Sequence, residues 1–143
     1  MLLKSEMNQN KAEKQEQNLD FEEFDMDTTR SGQTFRIERK KDIIIIHIAN
    51  RFDSLNCYNI EEVINNEIKK GQKKFLFSLK HVDYISSSGY RLLVSALNDI
   101  KKVNGMLILS SLPEEIKKVF HDIKLDLIFE IYETDKEGLQ NLI

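Results

Sequence analysis

The 143-residue sequence contains one cysteine, one proline and five scattered glycines. No apolar run is long enough to cross a bilayer or to form the core of a signal peptide. Each shortage excludes something. Cys57 cannot form an internal disulfide and has no Cys or His neighbour at ligand spacing, so neither a disulfide framework nor a metal site is expected. The glycines compose no phosphate-cradling loop. The G-x-S-x-G elbow of serine hydrolases is absent, and the base and orienting acid of a triad are poorly supplied. His47 falls inside an expected strand, His81 in a loop and His121 at a helix end, so all three read as packing or surface residues. No catalytic residue, metal ligand or cofactor is expected, and the chain reads as a non-enzyme. The net charge is only -3, so there is no broad basic field to collect nucleic-acid phosphates. A cytoplasmic protein that neither inserts in membranes nor binds nucleic acid is the expectation.

What is present is 41% hydrophobic and 31% charged residues, enough for one domain with a core and not for two. Its distribution is uneven. Residues 1–32 carry eight acidic groups against four basic ones, few aliphatics and many Lys, Glu, Gln and Asn. Such a stretch buries too little apolar surface to offset the entropy of ordering it, so it reads as a disordered or loosely helical tail. Its cluster LDFEEFDMD, Leu19 to Asp27, reads as part of that solvated tail, with docking on a partner as the alternative.

The domain is expected over residues 33–143. FRIER and DIIIIHI flank the polar pair Lys40 and Lys41, a hairpin signal, and Ile43 to Ile48 is apolar enough to be a central strand. Leu55, Ile60, Val63, Ile64 and Ile68 recur at helical spacing, with Asp53 or Ser54 as cap and Gly71 as stop. KFLFSL, Lys74 to Leu79, is a short strand. Leu92, Leu93, Ala96, Leu97, Ile100 and Val103 form a second helical stripe that stops at Asn104 and Gly105, and MLILS, Met106 to Ser110, is the next strand. Pro113, Glu114 and Glu115 suit the first turn of a third helix that buries Ile116, Val119 and Phe120. LIFEIY, Leu127 to Tyr132, reads as a last strand and Asp135 to Ile143 as a short terminal helix. The fold class is therefore α/β: a mixed sheet of four to five strands with an N-terminal β-hairpin, parallel crossovers and about four helices.

The stretch YISSSGYRLLVSAL, Tyr84 to Leu97, places three serines and a glycine where the second amphipathic helix begins. Backbone N–H groups there lack intrahelical acceptors and the helix dipole is positive, so a hydroxyl, a carboxylate or a phosphate is accepted readily. Gly89 lets another backbone approach closely. On spacing alone the serines cap a helix and fill a tight loop.

From about Thr34 to Ile143 the chain resembles the STAS domain in the form of the bacterial anti-sigma factor antagonists. That family has a strand, then Asp-Ser-Ser-Gly or Asp-Ser-Thr-Gly, then a helix opening on aliphatics, and VDYISSSGYRLLVSAL is similar to this. NRFD, Asn50 to Asp53, stands where the family has a Gly-x-aliphatic-Asp turn, and GMLILSSLPEEIKKVF is a third family-like piece. The resemblance implies a regulatory module in partner switching, transcription regulation and stress response. Its members bind an anti-sigma factor serine kinase, release the sigma factor it holds, are inactivated when that kinase phosphorylates the first motif serine, and are reset by a PP2C-type phosphatase. Matched position by position, the phosphoacceptor is Ser87, with Ser86 and Ser88 as alternatives. The partner-binding residues are Asp53, Ser86, Ser87, Ser88, Gly89, Tyr90 and Arg91, in a monomer or weak dimer. Ser86 replaces the motif aspartate, Asn50 the turn glycine, and Tyr90 the usual aliphatic. The alternative reading is a STAS scaffold that is not phosphorylated, or a subunit of a lipid-transport or stress-signalling complex.

Overall fold

Four consecutive isoleucines, Ile43 to Ile46, cannot all be buried by a strand with one wet face, and none of them is more than 2% exposed. They belong to a central strand covered on both sides. The computed structural model describes residues 35–143, and the acid-rich N-terminal segment lies outside them. Strands β1 (Phe35–Lys40), β2 (Ile43–Phe52), β3 (Lys74–Ile85), β4 (Met106–Ser110) and β5 (Glu130–Tyr132) form one sheet in sequence order. β1 and β2 pair antiparallel and every later pair is parallel. The crossovers are α1 (Ser54–Lys69), α2 (Ser87–Lys102) and α3 (Glu114–Asp122), and α4 (Asp135–Gln140) follows β5. No helix among the described residues is long and apolar enough to cross a membrane.

The period-2 alternation of the strands sorts the core into two layers. Ile44, Ile46, Phe75, Phe77, Leu107 and Leu109 join the main cluster with Ile60 and Ile64 of α1, Leu93 and Ile100 of α2 and Phe120 of α3. Ile43, Ile45, Leu76 and Ile108 form a smaller cluster on the opposite side with Leu142, against which Leu139 of α4 packs. Gly138 lets α4 lie on the strands, because a Cβ there would stand 2.5 Å from Leu76 Cδ1.

Several boundaries differ from the sequence expectation. The hairpin turn is Lys41 and Asp42, with Lys40 paired to Ile43 and Lys41 at φ 58°. β2 runs to Phe52 and β3 to Ile85, beyond the expected ends at Ile48 and Leu79, because pairing between the two strands continues through polar residues. Leu125–Leu127 is a 3-10 turn, so the last strand shrinks to Glu130–Tyr132, and the terminal helix stops at Gln140. Leu55, expected on the buried stripe of α1, is 64% exposed.

β3 spends twelve residues against ten in β2. The register shifts twice, between the pairs His47–Ser78 and Ala49–His81 and again between Asn50–Val82 and Arg51–Tyr84. Each shift inserts one extra residue on β3, a bulge that re-aims the side chains beyond it. Asn50, in the place of a family glycine, has φ 64°, a left-handed conformation that asparagine tolerates better than most residues.

Candidate functional site: the amino end of α2

Ser86 is the N-cap of α2, with extended backbone and its Oγ accepting from the Gly89 N–H at 3.2 Å. It supplies the cap that an aspartate would supply, without the charge. Ser87 is the first helical residue and is exposed, Ser88 is half-buried, and Gly89 is buried. The three serines thus differ in kind: one hydroxyl is engaged with backbone, one faces solvent, one lines a groove.

The glycine has a steric reason. A Cβ on Gly89 would stand 2.7 Å from the Phe52 carbonyl oxygen and 2.8 Å from Ile85 Cγ2, so only glycine lets α2 start this close to the end of β2. The same approach places the Ser86 N–H 3.0 Å from the Phe52 carbonyl. Asp53 directly follows Phe52 and caps α1, its Oδ1 accepting from the Leu55 N–H at 3.1 Å. One interstrand junction therefore joins the cap of α1 and the cap of α2.

Arg51 and Tyr84 complete this end of the sheet, and nothing in the sequence singled them out. The Arg51 Nε donates to Asp53 Oδ2 at 3.2 Å, and its guanidinium lies 4.3 Å from the centre of the Tyr84 ring. Their pairing depends on the second bulge of β3, which no local pattern announces. Leu55, Tyr58 and Tyr84 are 64%, 66% and 44% exposed, large side chains that leave much of their surface in solvent at this end of the domain. Between α1 and α2 runs a groove of about 300 Å³, lined by Cys57, Tyr58, Glu61, Ser88, Arg91 and Ser95 among others. Burial, with the negative charges of Asp53 and Glu61, pushes the Cys57 thiol up to about 11, so it stays protonated and unreactive at neutral pH.

Of the residues matched from sequence, Asp53, Ser86, Ser87, Ser88 and Gly89 meet at this junction, and Arg91 lines the groove. Tyr90 turns inward instead. Its ring packs on the core and 5.7 Å from that of Phe120, tying α2 to α3. The histidines are engaged or placed elsewhere: His47 Nε2 lies 2.8 Å from Glu38 Oε1, His121 Nδ1 2.9 Å from Asp126 Oδ2, and His81 on the far side of the sheet. No group of three or more His, Cys, Asp or Glu among the described residues is arranged to hold a metal ion. What this end offers is a solvent-facing hydroxyl on a helix N-terminus, amid exposed aromatic and aliphatic surface.

The sequence profile of the STAS domain matches residues 34–138. The putative anti-sigma factor antagonist BtrV of Bordetella bronchiseptica is 29% identical over 78 residues, which are 54% of this chain and 67% of that protein. The crystal structure of a putative anti-sigma factor antagonist from Thermotoga maritima superimposes with a TM-score of 0.70 at 25% identity, covering 76% of this chain and 93% of the other. The anti-sigma factor antagonist SpoIIAA shares the fold in two states. Its unphosphorylated form has a TM-score of 0.64 at 18% identity, covering 76% of this chain and 96% of that one. The phosphorylated form, from Bacillus, has a TM-score of 0.65 at 20% identity, covering 77% of this chain and 100% of that one.

Proposed function

The chain belongs to the STAS domain family, and from that membership we propose that it acts as an anti-sigma factor antagonist, a binding module switched by phosphorylation of Ser87. Its partner is an anti-sigma factor with serine kinase activity, and a PP2C-type phosphatase restores the binding form. The observation that carries the reading is the exposure of Ser87 at the first position of α2, while Ser86 is occupied as the cap and Ser88 is half-buried.

The physical consequences of a phosphate differ for the fold and for the complex. It adds about 1.5 to 2 negative charges at neutral pH, which the α2 N-terminus accommodates with about 0.3 to 1 kcal/mol of stabilisation. The fold therefore survives. A partner packed over Leu55, Tyr58 and Tyr84 would cover Ser87, and there the phosphate is desolvated beside the Asp53 carboxylate. Every ~1.4 kcal/mol of that penalty weakens the complex tenfold.

The test is incubation of the protein with its anti-sigma factor kinase and ATP, followed by intact mass and site mapping. One phosphate is expected on Ser87, with none added to Ser87→Ala. Equal labelling of Ser87→Ala would sink the site assignment. A Ser87→Asp protein that holds the partner as tightly as the unsubstituted chain would sink the switch and favour a scaffold that ignores phosphate.

A further inference from the structure

On the sheet face opposite α2 lies a cavity of about 410 Å³, lined by His47, Asn50, Ser78, Lys80, His81 and Asp135 among others. That volume is within the range of about 300 to 1,000 Å³ typical of small-molecule sites. The switch at Ser87 makes no use of it, and its two sides carry opposite charge.

Asp135 forms the negative side. Its Oδ1 accepts hydrogen bonds from Ser110 and Ser111 at 2.7 Å each, and its Oδ2 accepts one from Ser78 at 2.9 Å. Two oxygens offer about four acceptor positions, so one remains on Oδ2. Ser78 lines the cavity whereas Ser110 and Ser111 do not, which puts the remaining position on the open side. The carboxylate is thus held in place by three donors and still has room for a fourth. Glu38 does not line the cavity and is taken by His47.

The positive side is a product of the first bulge in β3. Without the extra residue, Lys80 and His81 would point to opposite faces. With it, Leu79 and Val82 both enter the main core, while Lys80 and His81 are both exposed and both line the cavity. Neither side chain makes a hydrogen bond or ion pair among the described residues. Arg36, beside Glu38, adds a further cation to the lining. A carboxylate alone would leave the open position on Asp135 unfilled and an amine alone would leave Lys80 without a partner, so a ligand with both charges uses more of the site than a ligand with one.

We propose that this cavity binds a small zwitterion of the α-amino-acid type, its ammonium donating to Asp135 Oδ2 and its carboxylate held by Lys80 and His81. The opposed charges are preset by the bulge and by the three hydroxyls, so little ordering is needed on binding.

The experiment is a titration of the full chain followed by backbone amide NMR, with the proteinogenic amino acids as probes and acetate and methylammonium as controls bearing a single charge. At least one amino acid is expected to shift the Ala49, Ser78, His81 and Asp135 amides saturably, with neither control doing so at equal concentration. Both rim residues are exposed, so the double variant Lys80→Gln, His81→Gln keeps the fold and is expected to bind about tenfold more weakly. Saturable shifts from no amino acid, equal shifts from acetate, shifts confined to other residues, or unchanged affinity in the double variant would each overturn the proposal.

Discussion

The two faces of the sheet solve the burial problem by different physics. Under α1, α2 and α3 the strands present Ile44, Ile46, Phe75, Phe77, Leu107 and Leu109, none more than 4% exposed, and adhesion there is a matter of area and close packing. Toward α4 the apolar patch is smaller, and beside it Ser78 and Ser110, 2% and 0% exposed, would be costly without partners. Asp135, the first residue of α4, satisfies both. The first face tolerates approximate chemistry of the right volume; the second requires particular donors facing a particular acceptor. α2, which carries Ser87 at its first position, packs on the apolar face, while the polar cavity is on the other.

Substitutions should separate the faces. Phe77→Ala opens the main core and is expected to cost about 3 to 5 kcal/mol, read from urea denaturation. Gly89→Ala forces the new methyl against the Phe52 carbonyl and Ile85, and is expected to cost about 1 to 3 kcal/mol and to move the start of α2, visible as shifted amides of residues 86–90. Asp135→Asn puts an NH2 where the Ser78 hydroxyl donates, so Ser78 must turn to accept and the serines lose their bonds to a charged carboxylate, at about 1 to 3 kcal/mol. Equal urea midpoints for Asp135→Asn and the parent would show that the serine network does not hold α4.

The same network carries the pH dependence. Burial pushes the Asp135 carboxyl up, but hydrogen bonds from Ser110, Ser111 and Ser78 outweigh it and hold the group below its ordinary 3.8. Burial also raises Glu38, and the His47 hydrogen bond, with the charges of His47, Arg36 and Lys40, brings it below its ordinary 4.5. Both are depressed in the folded state, so their contribution is complete above the ordinary values and is lost as pH falls through the folded ones. Melting temperature should therefore drop below about pH 4.5, and Asp135→Asn should flatten part of that drop. The smallest effects are expected at the cap. Ser86→Ala removes the bond to Gly89 and costs about 1 kcal/mol, whereas Ser86→Asp keeps the cap, adds a charge favoured by the dipole and gains about 0.3 to 1 kcal/mol, both by thermal melting.

Much of this was legible from local pattern. The hairpin, the alternation of strands and helices, the cap at Asp53 and the stop at Gly71 each rest on residues within a few positions of one another, where spacing is a direct physical signal. The serine loop was legible as a helix start for the same reason. The packing of Tyr90 was not: matched beside Arg91 as a partner-binding position, its ring packs on Phe120, thirty residues onward. Arg51 and Tyr84 were invisible because a cation over a ring across two strands depends on register, and the register depends on two bulges.

Sequence alone determined which elements form and that Ser87 stands at a helix N-terminus, because hydrophobic period and capping act over one or two turns of chain. Only the tertiary structure decided that Gly89 must pass within reach of the Phe52 carbonyl, and that Ser78, Ser110 and Ser111 converge on Asp135. Those facts depend on contacts between segments distant in sequence, with Ser78 and Asp135 separated by 57 positions. Their geometry is set by how the sheet twists, bulges and packs, and no local spacing encodes it.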